Sequence, residues 1–313
     1  MPKRAIAVLG ATGSQGGSLV RSICADSYGE FSARALTRNV DSDKARGLAA
    51  LGADVVACNV DDETSLRSAL EGAHGVYAVT FFWEHFSPEK ERRQAATIAA
   101  AARAAQVHHI IWSTLEDSRK FMSVDDPRMP TLMGNYKVPH FDAKGASDIY
   151  FAELPTTYLL TSFYWDNLIT FGMGPKRSPD GKLVLTLPIG NSKLPQIAAE
   201  DIGRCAHGVF RKGDPLIDKR VGIAGEHLTG PEMAAALSDA FGEEVVFYSP
   251  SFDAYRSSGF PGAEGLGNMF QFNHDFADAL CFARDLEYSR ELNPRLQTFD
   301  QWLAVNAKKI PIG

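Results

Sequence analysis

The sequence predicts an α/β fold, a doubly wound parallel sheet followed by a smaller C-terminal α/β lobe, and three observations carry that prediction. A short apolar run, Ala5–Leu9, stops at the glycine-dense turn Gly10-Ala-Thr-Gly13-Ser-Gln-Gly16-Gly17 and restarts as the helical pattern Ser18–Ile23. Strand-like and helix-like segments then alternate five times before Thr114, the pattern of a parallel sheet covered on both faces by right-handed crossovers. From Gly172 to Pro195 glycine and proline become frequent, which marks shorter strands and turns.

The first strand and its turn read as the opening of a dinucleotide-binding unit. Glycines let the backbone turn sharply and approach a pyrophosphate, while the free amides and the positive dipole end of the helix meet the negative charge. The spacing Gly10-x-x-Gly13-x-x-Gly16 is a variant of the commonest fingerprint. A purely structural strand-to-helix turn is the competing reading.

A second strand, Phe31–Thr37, ends at Arg38-Asn39. An acidic residue at this place would hold a ribose 2′-hydroxyl, whereas a basic one accommodates a 2′-phosphate, so Arg38 favours NADP(H) over NAD(H). Ser42–Leu51 has helical character, and Ala53–Val60 is a third strand with Asn59 near its end. Asp61-Asp62 follows, either as a polar cluster facing an adenine or as a cap on the helix Glu63–Leu70. The fourth strand, Gly75–Thr80, runs into Phe81-Phe-Trp-Glu-His-Phe86. Strand ends on this edge of an α/β sheet are where ligands sit, so Asn59, Thr80 and Phe81 join the cofactor set, and Phe82, Trp83 and Phe86 join a substrate pocket. An aromatic plug over the core is the alternative. Glu89–Gln106 is an alanine-rich helix leading to the fifth strand, Val107–Thr114.

A looser stretch with Pro127, Pro130 and Pro139 precedes a helix from His140 to about Glu153, with Pro139 at its first position. His140 and Lys144 then share a face at i, i+4. Thr156–Phe163 reads as a sixth strand, followed by Tyr164, Trp165 and Asn167 as further pocket residues. A hairpin is expected around Pro179–Lys182, a helix that follows Ala199-Glu200-Asp201 and runs to about Phe210 with Asp201 as candidate cap, another over Pro231–Phe241, and a strand over Glu244–Tyr248. The expected division is a nucleotide-binding domain over 1–155, completed by parts of 156–230, and a smaller interleaved lobe over 156–313.

The chain has 313 residues, 45% of them hydrophobic and 22% charged, and a formal charge of −6. That describes a soluble globular protein with a large core. No basic face suits nucleic acid, and no apolar run reaches the roughly 18 residues of a membrane span. With no signal-like h-region, a cytoplasmic location is expected. Cys24, Cys58, Cys205 and Cys281 are widely spaced and form no C-x-x-C pair, so reduced thiols are expected. The eight histidines show no metal-ligand spacing, and no metal is expected.

Several stretches in order, Gly10–Gly17, Leu36-Thr-Arg38-Asn39, Phe82-Trp83-Glu84, His140-Phe-Asp-Ala-Lys144-Gly145, Asp166-Asn167-Leu168, Gly259-Phe-Pro-Gly262 and Phe299–Leu303, resemble the NmrA-like family of atypical short-chain dehydrogenases, most nearly its HSCARG redox-sensor branch. The resemblance implies a Rossmann domain with a smaller lobe and an NADP(H) site. It places phosphate contacts on the backbone of Thr12, Gly13, Ser14 and Gln15 and the 2′-phosphate on Arg38. A basic contact falls on Arg93, and the nicotinamide-ribose lysine on Lys144. The second basic residue expected shortly after the arginine is displaced here by Asn39-Val-Asp41, before Lys44.

Ordinary short-chain reductases pair this lysine with a tyrosine four residues earlier, where this chain has His140. A histidine titrating near neutrality can act as acid or base, and Ser113 stands where such enzymes hold a carbonyl; a plain helix histidine is the other reading. Three functions therefore stand open: a redox-responsive NADP(H)-binding regulator with a protein partner, an NADPH-dependent oxidoreductase acting on an aromatic or quinone-like small molecule, with Lys144 and His140 in proton transfer, and a non-catalytic scaffold or biosynthetic accessory protein. A homodimer is the candidate assembly.

Overall fold

A computed structural model describes residues 2–312. The amino-terminal half alternates β1 (Arg4–Val8), α1 (Ser14–Ala25), β2 (Phe31–Thr37), α2 (Asp43–Ala50), β3 (Asp54–Ala57), α3 (Glu63–Leu70), β4 (Gly75–Ala78), the short α4 (Phe82–His85), α5 (Pro88–Ala104) and β5 (His109–Thr114). After a long connection come α6 (Pro139–Ser147), β6 (Thr156–Leu160), β7 (Phe163–Tyr164), α7 (Asn167–Thr170), β8 (Lys176–Arg177), β9 (Leu183–Thr186), β10 (Leu194–Ile197), α8 (Ala199–Lys212), β11 (Arg220–Gly222) and β12 (Glu226–Leu228). The chain finishes with α9 (Gly230–Phe241), β13 (Val245–Tyr248), α10 (Phe252–Arg256), α11 (Ala263–Asp275), α12 (Ala277–Phe282), α13 (Leu286–Leu292) and α14 (Phe299–Asn306).

Seven strands form one parallel sheet in the order β11-β6-β5-β4-β1-β2-β3. The central strands carry long apolar runs because both faces are covered: Ile6, Ala7 and Val8 in β1 and Val76, Tyr77 and Ala78 in β4 are fully buried. Helices α1 and α8 pack together on one face, and α3, α5 and α6 pack in sequence on the other. Strand order reverses between β1 and β4. A crevice opens at their carboxyl ends, the usual ligand position in such a sheet.

The second core holds two small sheets, β12-β10-β7 and β13-β9-β8, around Trp165, Leu183, Leu185, Phe270, Phe299 and Trp302. The expected sixth strand divides here. Thr156–Leu160 stays in the large sheet, the chain bends at Thr161-Ser162, where the Ser162 hydroxyl donates to the Ile223 carbonyl, and Phe163-Tyr164 pairs with β10. The hairpin expected around Pro179–Lys182 joins antiparallel β8 and β9.

Local expectations are corrected in three places. Helix α6 ends at Ser147 and tightens into a 3₁₀ turn over Asp148–Phe151, because the Asp148 carboxylate is drawn to the sheet by Trp112 Nε1, Thr114 Oγ1 and Arg220 Nη1. The aromatic loop contains a helical turn, α4, that stops at Phe86 in the left-handed region. Asp201 does not cap α8; it is buried within the first turn and binds Asn293 and Gln297. The amide of Ala199 is taken instead by Asp166, from the segment after β7. Asp62 is the cap of α3, accepting from Thr64 and Ser65.

Candidate functional site

A cleft of about 710 Å³ opens over the carboxyl ends of β1 and β4 and runs toward the second core. Its inner wall begins at the glycine turn. Gly10 has φ +62°, and a Cβ there would press on Phe81 and Val79. A Cβ on Gly16 would fall 2.5 Å from the Gly10 carbonyl oxygen, so only glycine lets α1 approach β1 this closely. The helix start has no acidic residue and no side-chain cap, and the amides of Ser14, Gln15 and Gly16 have no acceptor among the described residues. Unsatisfied amides at a positive helix end suit an anion.

Opposite this turn, Lys144 projects from α6. Its Nζ donates to Thr80 Oγ1 at 2.8 Å and to the Ser113 carbonyl at 3.4 Å, lies 3.2 Å from Glu91 Oε1, and stands 5.2 Å from the centre of the Trp112 ring. Glu91, fully buried on α5, also accepts from Thr80 Oγ1 at 2.6 Å. Burial alone would raise the Glu91 carboxyl, but the Lys144 charge, the close His85 imidazole and hydrogen bonds from Thr80 and Lys144 outweigh it and hold the group below its usual range. His85 Nε2 lies 3.4 Å from Glu91 Oε2, at an angle that leaves both atoms without a fully formed hydrogen bond.

His140, expected as an acid or base, sits in an aromatic environment. Its ring lies 4.7 Å from that of Trp83 and 5.7 Å from that of Phe82, and Nδ1 is buried without a partner. Burial, with the nearby Lys144 charge, pushes its pKa down to about 3 against the opposing pull of Glu91. The imidazole is therefore uncharged at neutral pH: it keeps one ring N–H but has no imidazolium proton to give.

A second polar group surrounds Gln15. Its Oε1 accepts from the Tyr77 hydroxyl and from Ser113 Oγ, the latter at 2.8 Å, and its Nε2 donates to the Tyr164 hydroxyl at 2.5 Å. Deeper in the cleft, Arg284 makes a two-pronged contact with Glu116 at 2.7 and 3.0 Å and donates to the Thr161 carbonyl. Burial works against ionised Glu116, but the Arg284 charge and hydrogen bonds prevail and hold it below the usual carboxylate range.

The structure therefore brings Gly10, Gly13, Ser14, Gln15, Gly16, Thr80, Phe81, Ser113, His140 and Lys144 to one cleft, with Phe82, Trp83, Phe86, Tyr164 and Asn167 on its walls. Other expected residues lie elsewhere. Trp165 is fully buried in the second core, its indole Nε1 bound to Gln196 and its ring against Phe299. Arg93 is exposed on α5, two residues from Glu91 and so about 200° around the helix from the cleft-facing side. Asn59 is exposed and accepts from the Asp61 amide. Thr12 is half-buried beside the turn without lining the cleft. Arg38 is exposed and bridges to Glu84 Oε1 at 2.8 Å, and it is Glu84 that borders the cleft.

Sequence reading missed Glu91, Tyr77 and Arg284. Glu91 stands in the charged run Glu89–Arg93, which looks like a solvated face, yet Glu91, Gln94, Ala95, Ile98 and Ala102 are all buried. That i, i+3, i+4, i+7, i+11 spacing was the available signal. Nothing local marks Tyr77 in a fully apolar strand or Arg284 some 170 residues from its partner.

The NmrA-like family pattern matches residues 2–303. The oxidoreductase FrzB of Cladobotryum sp., itself described as containing an NmrA-like family domain, is 26% identical over 281 residues, covering 85% of this chain and 83% of its own. Among solved structures, NmrA, a negative transcriptional regulator determined in complex with NAD and with NADP, superposes with a TM-score of 0.78 at 22% identity, over 97% of this chain and 95% of its own. Triphenylmethane reductase of Citrobacter sp., complexed with NADP(H), gives 0.73 at 20% identity, over 96% and 99%. These structural likenesses show the fold.

Proposed function

The chain belongs to the NmrA-like family, and we propose that it binds NADP(H) in the cleft and reduces a flat aromatic or quinone-like small molecule there. The observation that carries this reading is the row of unaccepted amides at Ser14, Gln15 and Gly16, uncapped and uncountered by any first-turn carboxylate, facing the same cleft as Lys144. These residues fit a pyrophosphate. Arg38 takes the 2′-phosphate, released from Glu84, and Lys144, giving up its long 3.4 Å contact with the Ser113 carbonyl, holds the nicotinamide ribose. Bound NADPH supplies hydride; the protein supplies orientation and exclusion of water. The aromatic side chains Phe82, Trp83, Phe86, Phe163 and Phe260 around the outer cleft offer faces against which a planar molecule stacks.

A second reading, a regulator whose conformation answers to nicotinamide occupancy, is favoured by the chemistry at α6. His140 is uncharged, and all three hydrogens of the Lys144 ammonium have acceptors nearby within the protein. Calorimetry with NADPH, NADP+, NADH and NAD+ tests the shared part of both readings. A preference for the phosphorylated forms, lost in Arg38→Ala, is expected, and equal affinities for all four nucleotides would refute it. Steady NADPH consumption with an aromatic acceptor separates reductase from regulator.

A further inference from the structure

The hydrogen-bond direction around Gln15 leaves one phenol hydrogen facing the cleft. Tyr77 sets that direction. It is fully buried in β4, with its hydroxyl against Gln15 Oε1, and burial pushes its phenol well above the usual range, so the proton stays and needs an acceptor. Ser113 Oγ donates to the same oxygen at 2.8 Å. With Oε1 held by two donors, the amide NH2 must point the other way, and Nε2 donates to Tyr164. The Tyr164 hydroxyl thus receives hydrogens at its oxygen, from Gln15 and from the neighbouring Thr161 hydroxyl, and among the described residues its own hydrogen enters no formed hydrogen bond.

The neighbouring donors are committed. Ser113 gives its hydrogen to Gln15, Ser162 gives its own to the Ile223 carbonyl, and Lys144 is held by Thr80, Glu91 and the Ser113 carbonyl. Burial raises the Tyr164 phenol above its ordinary value against the hydrogen bonds of Thr161 and Gln15 that favour ionisation, so it remains a donor across the physiological range.

We propose that Tyr164, oriented by Gln15, donates a hydrogen bond to an oxygen of the cleft ligand, so that the site selects a flat molecule bearing a carbonyl or quinone oxygen over its bare hydrocarbon skeleton. The proposal rests on the reading of the cleft as a site for a planar acceptor and adds the atom that recognises it. A donor that is already polarised by an incoming amide and costs nothing to release from another partner is the arrangement that gains most when an acceptor arrives.

The test compares two probes that differ by one carbonyl, 9-fluorenone and fluorene, binding at saturating NADP+ to the wild type and to Tyr164→Phe. The ketone should bind the wild type more tightly, and the variant should weaken it about tenfold, the effect of one net hydrogen bond of about 1.4 kcal/mol, while fluorene stays within about twofold. Gln15→Glu, compared with the wild type without nucleotide because its carboxylate counters the phosphate site, supplies a second variant: the carboxylate still accepts from Tyr77 and Ser113 but captures the Tyr164 hydrogen, so ketone binding should fall there too and fluorene binding should not. Equal losses for both probes would make Tyr164 a wall residue and overturn the proposal. So would no loss for either, no wild-type preference for the ketone, or a tenfold drop in NADP+ affinity in Tyr164→Phe. If NADP+ does not bind the wild type, the nucleotide reading falls, and the two-probe comparison on the nucleotide-free protein still decides the role of Tyr164.

Discussion

Lys144 Nζ and Glu91 Oε1 lie 3.2 Å apart beneath the cleft, with the carboxylate fully buried and the ammonium close to it. Two opposite charges taken out of water are tolerated when each also has hydrogen-bond partners, and Thr80 bridges both. The pair makes Lys144 a fixed, charged donor beside the glycine turn.

Removing either partner strands the other charge. Glu91→Ala should destabilise the protein by about 3–5 kcal/mol, as expected for breaking a buried pair. The Glu91→Gln, Lys144→Met double variant should recover most of that loss, and a double-mutant cycle by urea denaturation measures the coupling. Additive losses would mean that the pair does not act as a unit.

Three buried imidazoles, His140, His109 and His207, have lowered pKa values, and their signs set the acid limb of stability. Burial pushes His140 down to about 3 and His109 down to about 4, from an ordinary 6.5. Between those values the unfolded chain binds protons that the folded one refuses, so stability is complete above pH 6.5 and declines as pH falls below it. Glu91 and Glu116, both held below 4.5, add a second loss that begins as pH drops below 4.5. His140→Phe should remove about 2 kcal/mol of the stability difference between pH 7 and pH 5, measured by denaturant titration. An unchanged difference would place a proton on His140 in the folded state.

The Arg38–Glu84 bridge is exposed on both sides, at 66% and 50%, and a pair of that kind contributes about 1 kcal/mol at most. A phosphate can displace such a carboxylate. Glu84→Gln should therefore tighten NADPH by about threefold and leave NADH unchanged, while Arg38→Ala should weaken NADPH by about tenfold or more. Calorimetry distinguishes these outcomes, and a Glu84→Gln effect on NADH as large as that on NADPH would argue against a 2′-phosphate site at Arg38.

All four cysteines are unpaired, and burial raises each thiol, Cys58 to about 11. The thiolate is the reactive form, so labelling at pH 7.5 should be slow for every thiol, followed by mass spectrometry. Mild peroxide should leave NADPH affinity unchanged. A redox response in this protein would then run through nucleotide occupancy rather than cysteine oxidation.

Much of the framework is legible in the sequence because it is local. The Gly10–Gly17 turn, the apolar strands before and after it, and the α3 cap at Asp62 are each specified by a few adjacent residues. Tyr164 was placed in the pocket from its strand-end position, and its neighbour Trp165 was placed there by the same rule. The rule fails one residue later because successive side chains on an extended segment face opposite ways: Tyr164 faces Gln15 and the cleft, while Trp165 faces Gln196 and Phe299.

Sequence alone determined the parallel sheet and the glycine-dense helix start, since glycine spacing and strand periodicity act over short distances; the place of Lys144 came from the family resemblance. Tertiary structure alone decided what each group can do there. Glu91 becomes the partner of Lys144, His140 is held uncharged among Phe82 and Trp83, and Gln15 gathers Tyr77, Ser113 and Tyr164, because charge state and hydrogen-bond direction depend on burial and on neighbours far away in the chain.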